Sequence, residues 1–347
     1  TDYNNSEFTT KIFNQFGVEA TIDFFESLGI QAKVEEEGKT FPMSEQASSF
    51  LDVFLYEIDK RKIVLELEKE IISLKKEREI FQIIAKDKRV YYAKKVILTT
   101  GGKAMPLTGS SCEGLDLAKA LGHKIITPFP ALVKLKLDSL YLKQLAGLKL
   151  NGRVDLILSD EIIQFAEGDF LFTNYGISGP TILSLSRKAN EFLLANKAPM
   201  IKIALLGNFK KEKLRERFEL FFEKEIDQSL IGLIHKRLIP VILKEAGIKQ
   251  GKTLIKLLKK EELDALIALL YDWRFKITES LGFSEAQVTA GGIDLFQINN
   301  ETLESKLLTG LYFAGEILDI DGRCGGFNLQ WAWSSGYVAA KHALESL

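Results

Sequence analysis

Cysteine and long apolar runs are scarce in this chain of 347 residues. Its two cysteines, Cys112 and Cys324, lie far apart and form no CxxC pair, which argues against a disulfide framework and a zinc site. No apolar run reaches about 18 residues, so no transmembrane helix is predicted. No signal-peptide pattern is visible either. We therefore expect a cytoplasmic protein without a metal site.

An excess of charge of one sign is also missing. The chain has 46 Lys and Arg against 47 Asp and Glu, for a formal net charge of −1. The basic run from Lys210 to Arg217 is interrupted by Glu212 and Glu216, as on a solvated helix face. The sequence thus predicts neither a nucleic-acid partner nor a membrane partner.

Apolar residues are plentiful, at 46% of the chain, which is enough for a sizeable core. Amphipathic spacing predicts helices within residues 7–30, in SSFLDVFLYEIDKR, in GLDLAKALGH and from about Leu329 to Leu344. The stretch KVEEEGKTFPMS predicts a β-hairpin, and alternating residues predict strands across 62–99.

The middle of the chain has a pattern of its own. Residues 129–207 are richest in strand signals, charged helices follow, and RFKITES returns to strand at 274. We expect a β-rich segment at 129–207 and a helical segment at 208–287. Both are inserted into an α/β domain made of residues 1–128 and 288–347.

Two apolar strands in this domain end in small residues. The motif VILTTGG places Thr100, Gly101 and Gly102 after one strand, and GLYFAGE places Gly315 and Glu316 after the other. Strands that are apolar throughout are typical of parallel sheets, and ligands bind beyond the carboxyl ends of such strands. Glycine lets the backbone approach a ligand closely, and a carboxylate can accept hydrogen bonds from sugar-like hydroxyls. The two strand ends therefore predict one composite site.

A further glycine pair, Gly325 and Gly326, precedes the last helix. A helix N-terminus offers unpaired N–H groups and a partial positive charge, which attract electron-rich groups. The small residues of WAWSSGYVAAKHA favour close packing of this helix on a sheet. The two tryptophans of this segment are predicted to pack in the core and not to contact a ligand.

Four motifs resemble one family of bacterial flavoproteins. They are KVILTTGGKAMPLTGSSCEGLDLAKALGH, FLFTNYGISGP, QVTAGGIDL and LESKLLTGLYFAGEILDIDGRCGGFNLQWAWSSGYVAA. In this order they are similar to the NAD(P)/FAD-dependent oxidoreductases of the aminoacetone-oxidase-like group, which is related to the enzymes that reduce bile-acid double bonds. The resemblance covers essentially the whole chain. It implies an FAD-binding domain of the glutathione-reductase type, split by a β-rich insert with a helical part.

The resemblance also implies roles at FAD. Ile71 matches the strand position whose backbone meets the adenine. Thr100, Gly101 and Gly102 match the turn near the ribose and pyrophosphate, and the pair Gly315–Glu316 matches the motif at the ribityl and pyrophosphate region. The loop and helix start at the isoalloxazine are matched by Gly325, Gly326, Phe327, Asn328, Leu329 and Gln330.

The chain departs from the family pattern in three places. It contains no GxGxxG, the motif that seats the FAD pyrophosphate on a helix N-terminus, and Thr1 aligns just after that unit. Three explanations stay open: the chain is part of a longer polypeptide, another chain supplies the strand, or this is a short form that does not bind FAD. Asn174 stands where the family usually has His, and Cys324 stands where Thr or another small residue is common.

The sequence thus predicts an FAD-dependent oxidoreductase. In it a reduced nicotinamide, NADH or NADPH, passes hydride to the flavin, which reduces a small apolar substrate. The alternative is a truncated or non-catalytic relative that does not bind FAD by itself. Since related flavoproteins modify tRNA, RNA binding is a further alternative, but the balanced charge opposes it. His123, His235 and His342 are expected at the surface or at helix ends, so no catalytic acid or base is predicted.

Overall fold

The computed structural model describes residues 2–35 and 38–346. The chain forms two compact units. One consists of Thr1–Phe129 together with Gln287–Leu347, and the other of Pro130–Ala286. We call them the α/β unit and the barrel unit. Every predicted site residue lies in the α/β unit.

The secondary structure follows in chain order. The helices are α1 (Ser6–Phe13), α2 (Val18–Ser27), α3 (Ser48–Lys60), α4 (Glu113–Ala120), α5 (Leu142–Leu145), α6 (Pro180–Leu194), α7 (Lys211–Leu220), α8 (Ile226–Leu230), α9 (Ile239–Glu245), α10 (Lys260–Tyr271) and α11 (Phe327–Glu345). The strands are β1 (Ala32–Val34), β2 (Thr40–Pro42), β3 (Ile71–Glu77), β4 (Ile80–Ala85), β5 (Val90–Ala93), β6 (Val96–Leu98), β7 (Ile125–Ala131), β8 (Leu135–Asp138), β9 (Lys149–Leu158), β10 (Glu161–Phe172), β11 (Gly176–Ser178), β12 (Met200–Ile203), β13 (Trp273–Ser280), β14 (Val288–Ile293) and β15 (Leu311–Phe313).

A parallel pair of short apolar strands lies in the core of the α/β unit. Strand β6 pairs with β15, with Val96 opposite Leu311 and Leu98 opposite Phe313. Helix α11 packs against both strands. The prediction that these apolar strands lie in a parallel sheet is therefore confirmed. Because parallel strands end at the same edge of a sheet, the turns that follow β6 and β15 lie side by side.

The strand prediction for residues 62–99 is confirmed in part. Strands β3, β4 and β5 form an antiparallel sheet, and β6 follows them. Residues 63–69 form no strand, although their sequence IVLELEK is rich in strand-favouring residues. No strand of the described chain pairs with them, and Val64 and Leu67 are 84% and 71% exposed. A strand needs a partner for its backbone N–H and C=O groups, and local sequence does not supply one.

The predicted helices of the α/β unit are present. Helices α1 and α2 account for the 7–30 region, and α3 and α4 lie where their motifs were assigned. The last helix begins at Phe327, two residues before the predicted start, because Gly326 at φ +93 ends the preceding loop. Strands β1 and β2 form the predicted hairpin, of which Glu36 and Glu37 lie outside the described residues.

The barrel unit is built on a closed antiparallel barrel with strand order β10-β11-β8-β13-β12-β9. Trp273, Phe172 and Phe275 are buried and pack against one another. Helices α7 to α10 lie between β12 and β13, and β13 confirms the predicted return to strand near 274.

Helix α6 was not predicted. It lies within the segment 129–207, where strand signals dominate the sequence. Its residues Ile182, Leu185 and Ala189 recur at helical spacing and are fully buried. Pro180 occupies the first turn, where its missing N–H has no intrahelical partner to lose. The helical period is present in TILSLSRKANEFLL, but the flanking strand signals obscured it.

Helices that could span a membrane are absent from the described ranges, because none is both long and apolar enough. Across residues 2–35 and 38–346, no group of three or more His, Cys, Asp or Glu side chains is placed to hold a metal ion.

Candidate functional site

The turn after β6 has the tight backbone that its glycines predict. Gly101 takes φ +71, a left-handed conformation that favours glycine. A Cβ on Gly102 would lie 2.5 Å from the Cβ of Thr289 and 2.6 Å from Oε1 of Glu316. The carbonyl of Gly102 accepts a hydrogen bond from the Ser110 hydroxyl. This turn therefore lies directly against the Glu316 carboxylate.

The turn after β15 is held by helix α11. Gly315 takes φ +76, and beyond its chain neighbours no atom of the described residues lies within 4 Å of where its Cβ would stand. Its N–H donates to Ser335 Oγ over 2.8 Å, and its carbonyl accepts from the indole Nε1–H of Trp331 over 3.0 Å. The turn thus has a fixed backbone beside open space.

Thr289, at the start of β14, connects the two turns. Its Oγ1 accepts hydrogen bonds from the N–H groups of Lys103 and Ala104, over 2.7 and 2.9 Å. Its own N–H donates to Glu316 Oε1 over 3.0 Å. The side chain is only 1% exposed.

Burial raises the pKa of the Glu316 carboxyl above its usual range, and the charge of Asp321 raises it further. Hydrogen bonds from the hydroxyl and the N–H of Thr289 oppose this effect. A carboxylate at this position is an acceptor for ligand hydroxyl groups, since Thr289 uses only part of its acceptor capacity.

The start of α11 adjoins these turns through Trp331 and Ser335. Gly325 and Gly326 take φ +121 and +93, and Gly326, as the N-cap residue, has no side chain to cap the first N–H groups of the helix. A helix start of this kind carries a partial positive charge. We call the Gly101–Gly102 turn, the Gly315–Glu316 turn and this helix start the glycine cradle.

Side chains of the helix start shape the loop before it. Asn328 Oδ1 accepts the N–H of Gly322 over 2.8 Å, and its Nδ2 donates back to the Gly322 carbonyl over 2.9 Å. The Phe327 carbonyl accepts from the Tyr3 hydroxyl over 2.7 Å. Gln330 Nε2 donates to the hydroxyl oxygens of Thr21 and Ser334, each over 2.8 Å.

The structure brings most of the predicted site residues together. Thr100 joins the cradle beside Gly101, and a Cβ on Gly114 of α4 would collide with its side chain. Leu329 belongs to the helix start but is 62% exposed. Ile71, on β3, lines a cavity of about 770 Å³ together with Glu113 and other residues of α4, the helix whose Gly114 lies against Thr100.

Sequence reasoning missed several residues that shape the cradle. Thr289 lies in QVTAGGIDL, one of the four motifs of the family resemblance, but no role at FAD was assigned to that motif. Ser110, Trp331 and Ser335 gave no signal of their own beyond small size or core packing.

The other singled-out residues lie outside the cradle contacts. Asn174 is exposed in the barrel unit, and Cys324 is half-buried in the loop before α11. Burial raises the pKa of the Cys112 thiol, and neighbouring charges modify it. His123 follows α4 as expected for a helix end, but it is not a surface residue, because it is only 2% exposed.

The sequence of the chain matches a known protein family. The family model described as HI0933-like protein Rossmann domain matches residues 2–342. The chain belongs to the HI0933-like family. This match supports the predicted FAD-type oxidoreductase at the level of the family.

Named relatives of this HI0933-like chain are enzymes. It is 34% identical over 343 residues to the 3-dehydro-bile acid delta(4,6)-reductase of Clostridium scindens, which covers 98% of this chain and 83% of the relative. It is 29% identical over 322 residues to the ribosomal RNA dihydrouridine synthase of Escherichia coli, covering 92% of the chain and 78% of the relative. The enzyme of the same name from Haemophilus influenzae is 29% identical over 318 residues, covering 90% and 76%.

Proposed function

We propose that this chain is an FAD-binding oxidoreductase that uses NAD(P)H to reduce a small, unsaturated substrate. The observation that carries the proposal is the glycine cradle, in which the Gly101–Gly102 turn lies against the Glu316 carboxylate and helix α11 holds the Gly315 turn.

The cradle suits the chemical groups of FAD. At both Gly315 and Gly326, the described part of the chain places no atom beyond the immediate neighbours within 4 Å of the position that a Cβ would take, so the bare backbone leaves room for a ligand. The Glu316 carboxylate is an acceptor for the hydroxyls of a ribityl chain or a ribose. The N-terminus of α11 favours the electron-rich edge of a flavin ring.

Each predicted residue has a proposed part. The backbone of Ile71 would meet the adenine, the Thr100–Gly102 turn the ribose and pyrophosphate, and Gly315–Glu316 the ribityl chain. The residues proposed at the ring are Gly325, Gly326, Phe327, Asn328, Leu329 and Gln330. When bound, FAD supplies the hydride-transfer chemistry, while the protein binds and orients it.

The finer architecture belongs to the same proposal. Residues 1–128 and 288–347 form a split FAD-binding domain of the glutathione-reductase type, related to the aminoacetone-oxidase-like flavoproteins. The β-rich segment 129–207 and the helical segment 208–287 form its insert. The two compact units support this division, with a boundary near Phe129 and Gln287.

The names of the relatives suggest the substrate class. A delta(4,6)-reductase acts on double bonds of a bile acid, and dihydrouridine is uridine with a saturated C5–C6 bond. Reduction of a carbon–carbon double bond is common to both. We therefore propose a substrate with such a bond next to a carbonyl group, and an apolar small molecule in preference to RNA.

Absorption spectroscopy tests the cofactor. The purified chain is mixed with excess FAD, passed through gel filtration and scanned for flavin bands. Retained flavin near one per chain is expected, followed by bleaching when NADH or NADPH is added without oxygen. A colourless chain would contradict the proposal and favour the alternative, a relative that does not bind FAD by itself.

A matched pair of variants separates the cradle from general backbone strain. Gly315 and Gly247 take φ +76 and +82 with open space around both, but Gly247 lies in the barrel unit. Alanine at either position should cost roughly 1–2 kcal/mol of stability through left-handed strain. Only Gly315→Ala should lose flavin. Equal flavin retention by both variants would contradict the assignment of the cradle.

RNA is the second candidate substrate, because two relatives are ribosomal RNA dihydrouridine synthases. The balanced charge of the chain argues against it, since phosphate contacts need a surplus of Lys and Arg. Salt-sensitive binding to a ribosomal RNA fragment, together with flavin reoxidation by that RNA, would replace the small-molecule substrate. Reoxidation of the flavin by an unsaturated steroid ketone, and not by the RNA, would support the small-molecule substrate.

A further inference from the structure

The hydroxyl of Thr289 has a fully determined set of partners. Its oxygen accepts the N–H groups of Lys103 and Ala104, which occupies both lone pairs. The hydroxyl hydrogen is then left to donate, and the Glu316 carboxyl is the acceptor beside it, since a Cβ on Gly102 would meet both groups. One buried side chain therefore serves three polar groups.

These contacts join three segments that are distant in sequence. Lys103 lies 186 residues before Thr289, and Glu316 lies 27 residues after it. The missing side chain of Gly102 leaves the space that the hydroxyl and the carboxylate fill. The distance between the turn after β6 and the turn after β15 is thus set at Thr289.

The same contacts orient the carboxylate. The N–H of Thr289 fixes Oε1 of Glu316 over 3.0 Å, which leaves the remaining acceptor positions of the carboxylate for a ligand. The titratable groups near it are Asp321, whose charge raises the Glu316 pKa, and Cys112, which Glu316 and Lys103 influence in turn. Burial and the charge of Asp321 raise the pKa of Glu316, whereas Thr289 lowers it and so favours the ionised carboxylate.

We propose that Thr289 is a positioning residue of the cofactor site, where it aligns the Glu316 carboxylate and the Gly101–Gly102 turn for the hydroxyl-bearing chain of FAD. The inference rests on the proposed function. A hydroxyl group of the ligand binds best to an ionised carboxylate held in one orientation, because hydrogen bonds to charged acceptors are the stronger ones.

Two substitutions separate the hydroxyl from the shape of the side chain. Thr289→Val keeps the volume and the backbone N–H but removes the hydroxyl, and Thr289→Ser keeps the hydroxyl. The dissociation constant for FAD is measured by flavin fluorescence between about pH 5 and about pH 8. Thermal unfolding without FAD is measured in parallel.

The valine variant should bind FAD roughly 10- to 100-fold more weakly at neutral pH, because two N–H groups and the carboxylate lose their partner. On acidification its affinity should begin to fall at a higher pH than in the wild type, since the Glu316 pKa rises further. The serine variant should stay within about threefold of the wild type and keep its pH profile. A residue that only filled space would leave the pH profile unchanged.

The remaining outcomes would overturn the inference on Thr289 or the proposed function. If the wild type binds FAD and Thr289→Val matches its affinity and pH profile, or if serine fails as badly as valine, the inference on Thr289 is wrong and the proposed function stands. If the wild type retains no FAD, both are wrong. Should the valine variant not fold, Glu316→Gln replaces it. This variant should abolish the pH dependence of FAD affinity, and an unchanged dependence would overturn the inference.

Discussion

Ser335 Oγ accepts the backbone N–H of Gly315 over 2.8 Å. One helical turn earlier, Trp331 donates its indole N–H to the carbonyl of the same glycine over 3.0 Å. Both polar backbone groups of Gly315 are thus satisfied by side chains of α11, and both side chains are buried. The helix that ends the chain therefore holds a left-handed turn in the conformation that the cradle requires.

Trp331→Phe tests this support. The substitution keeps an aromatic ring in the core but leaves the Gly315 carbonyl without its donor, which should cost about 1–3 kcal/mol in the free energy of unfolding. FAD affinity should fall as well, because the turn beside the carboxylate loosens. Denaturant unfolding and FAD titration measure the two effects.

Trp333→Phe is the matched control. Trp333 packs against Phe25 and Phe54, and its indole makes no hydrogen bond within the described part of the chain. Its replacement should cost less than that of Trp331 and leave FAD affinity unchanged. Equal losses of FAD affinity in the two variants would show that general packing, and not the Gly315 carbonyl, is what matters.

Gly102→Ala should be destabilising by roughly 1–3 kcal/mol, because the added methyl group meets Thr289 and Glu316 in a closed space. Gly152→Ala is its control, since among the described residues no atom beyond its chain neighbours lies within 4 Å of the Cβ position on β9. That variant should change stability by no more than about 1 kcal/mol. Urea unfolding compares the two, and a Gly102→Ala variant as stable as the control would contradict the close contact.

Glu316→Gln should stabilise the FAD-free protein at neutral pH. Burial raises the pKa of this carboxyl above 4.5, so the folded chain binds its proton more tightly than the unfolded chain. The stability it contributes is complete below pH 4.5 and is lost as the pH rises through the folded pKa. Glutamine keeps an acceptor for the Thr289 N–H but cannot ionise. Unfolding experiments should show a gain at neutral pH that disappears in acid, while a gain independent of pH would contradict the role of ionisation.

Local patterns in the sequence were sufficient for the elements that form the cradle. The apolar runs before Thr100 and Gly315 predicted strands of a parallel sheet, and the glycines predicted tight turns, because each signal lies within a few residues. They could not predict Thr289, since its partner Lys103 lies 186 residues away and a threonine in a strand has no periodic signature.

The two errors in the predicted secondary structure have different origins. Residues 63–69 have a strand-like sequence, but a strand exists only where a partner accepts its backbone hydrogen bonds, and no local pattern reports that partner. Helix α6, with Ile182 and Leu185 on its buried face, was not predicted because it lies in the sequence between segments with pronounced strand signals. Long-range pairing decided the first case, and flanking strand signals obscured the local helical period in the second.

His123 predicts a second, opposite dependence of stability on pH. Its Nε2 lies 2.9 Å from Ser305 Oγ, which also accepts the N–H groups of Leu307 and Leu308. The serine hydrogen must then point to Nε2, so the imidazole is neutral, with its other proton toward the Ala118 carbonyl. Burial lowers the pKa of His123 below 6.5, against the smaller effect of the Ala118 hydrogen bond.

The unfolded chain therefore takes up a proton at His123 before the folded chain does. Its contribution to stability is complete above pH 6.5 and is lost as the pH falls through the folded pKa. His123→Gln should flatten the decline in the free energy of unfolding between about pH 6.5 and about pH 5. Because Glu316 loses its contribution as the pH rises, His123→Gln and Glu316→Gln should change the slope of stability against pH in opposite directions. Changes of the same sign would show that at least one of the two groups does not titrate as its burial requires.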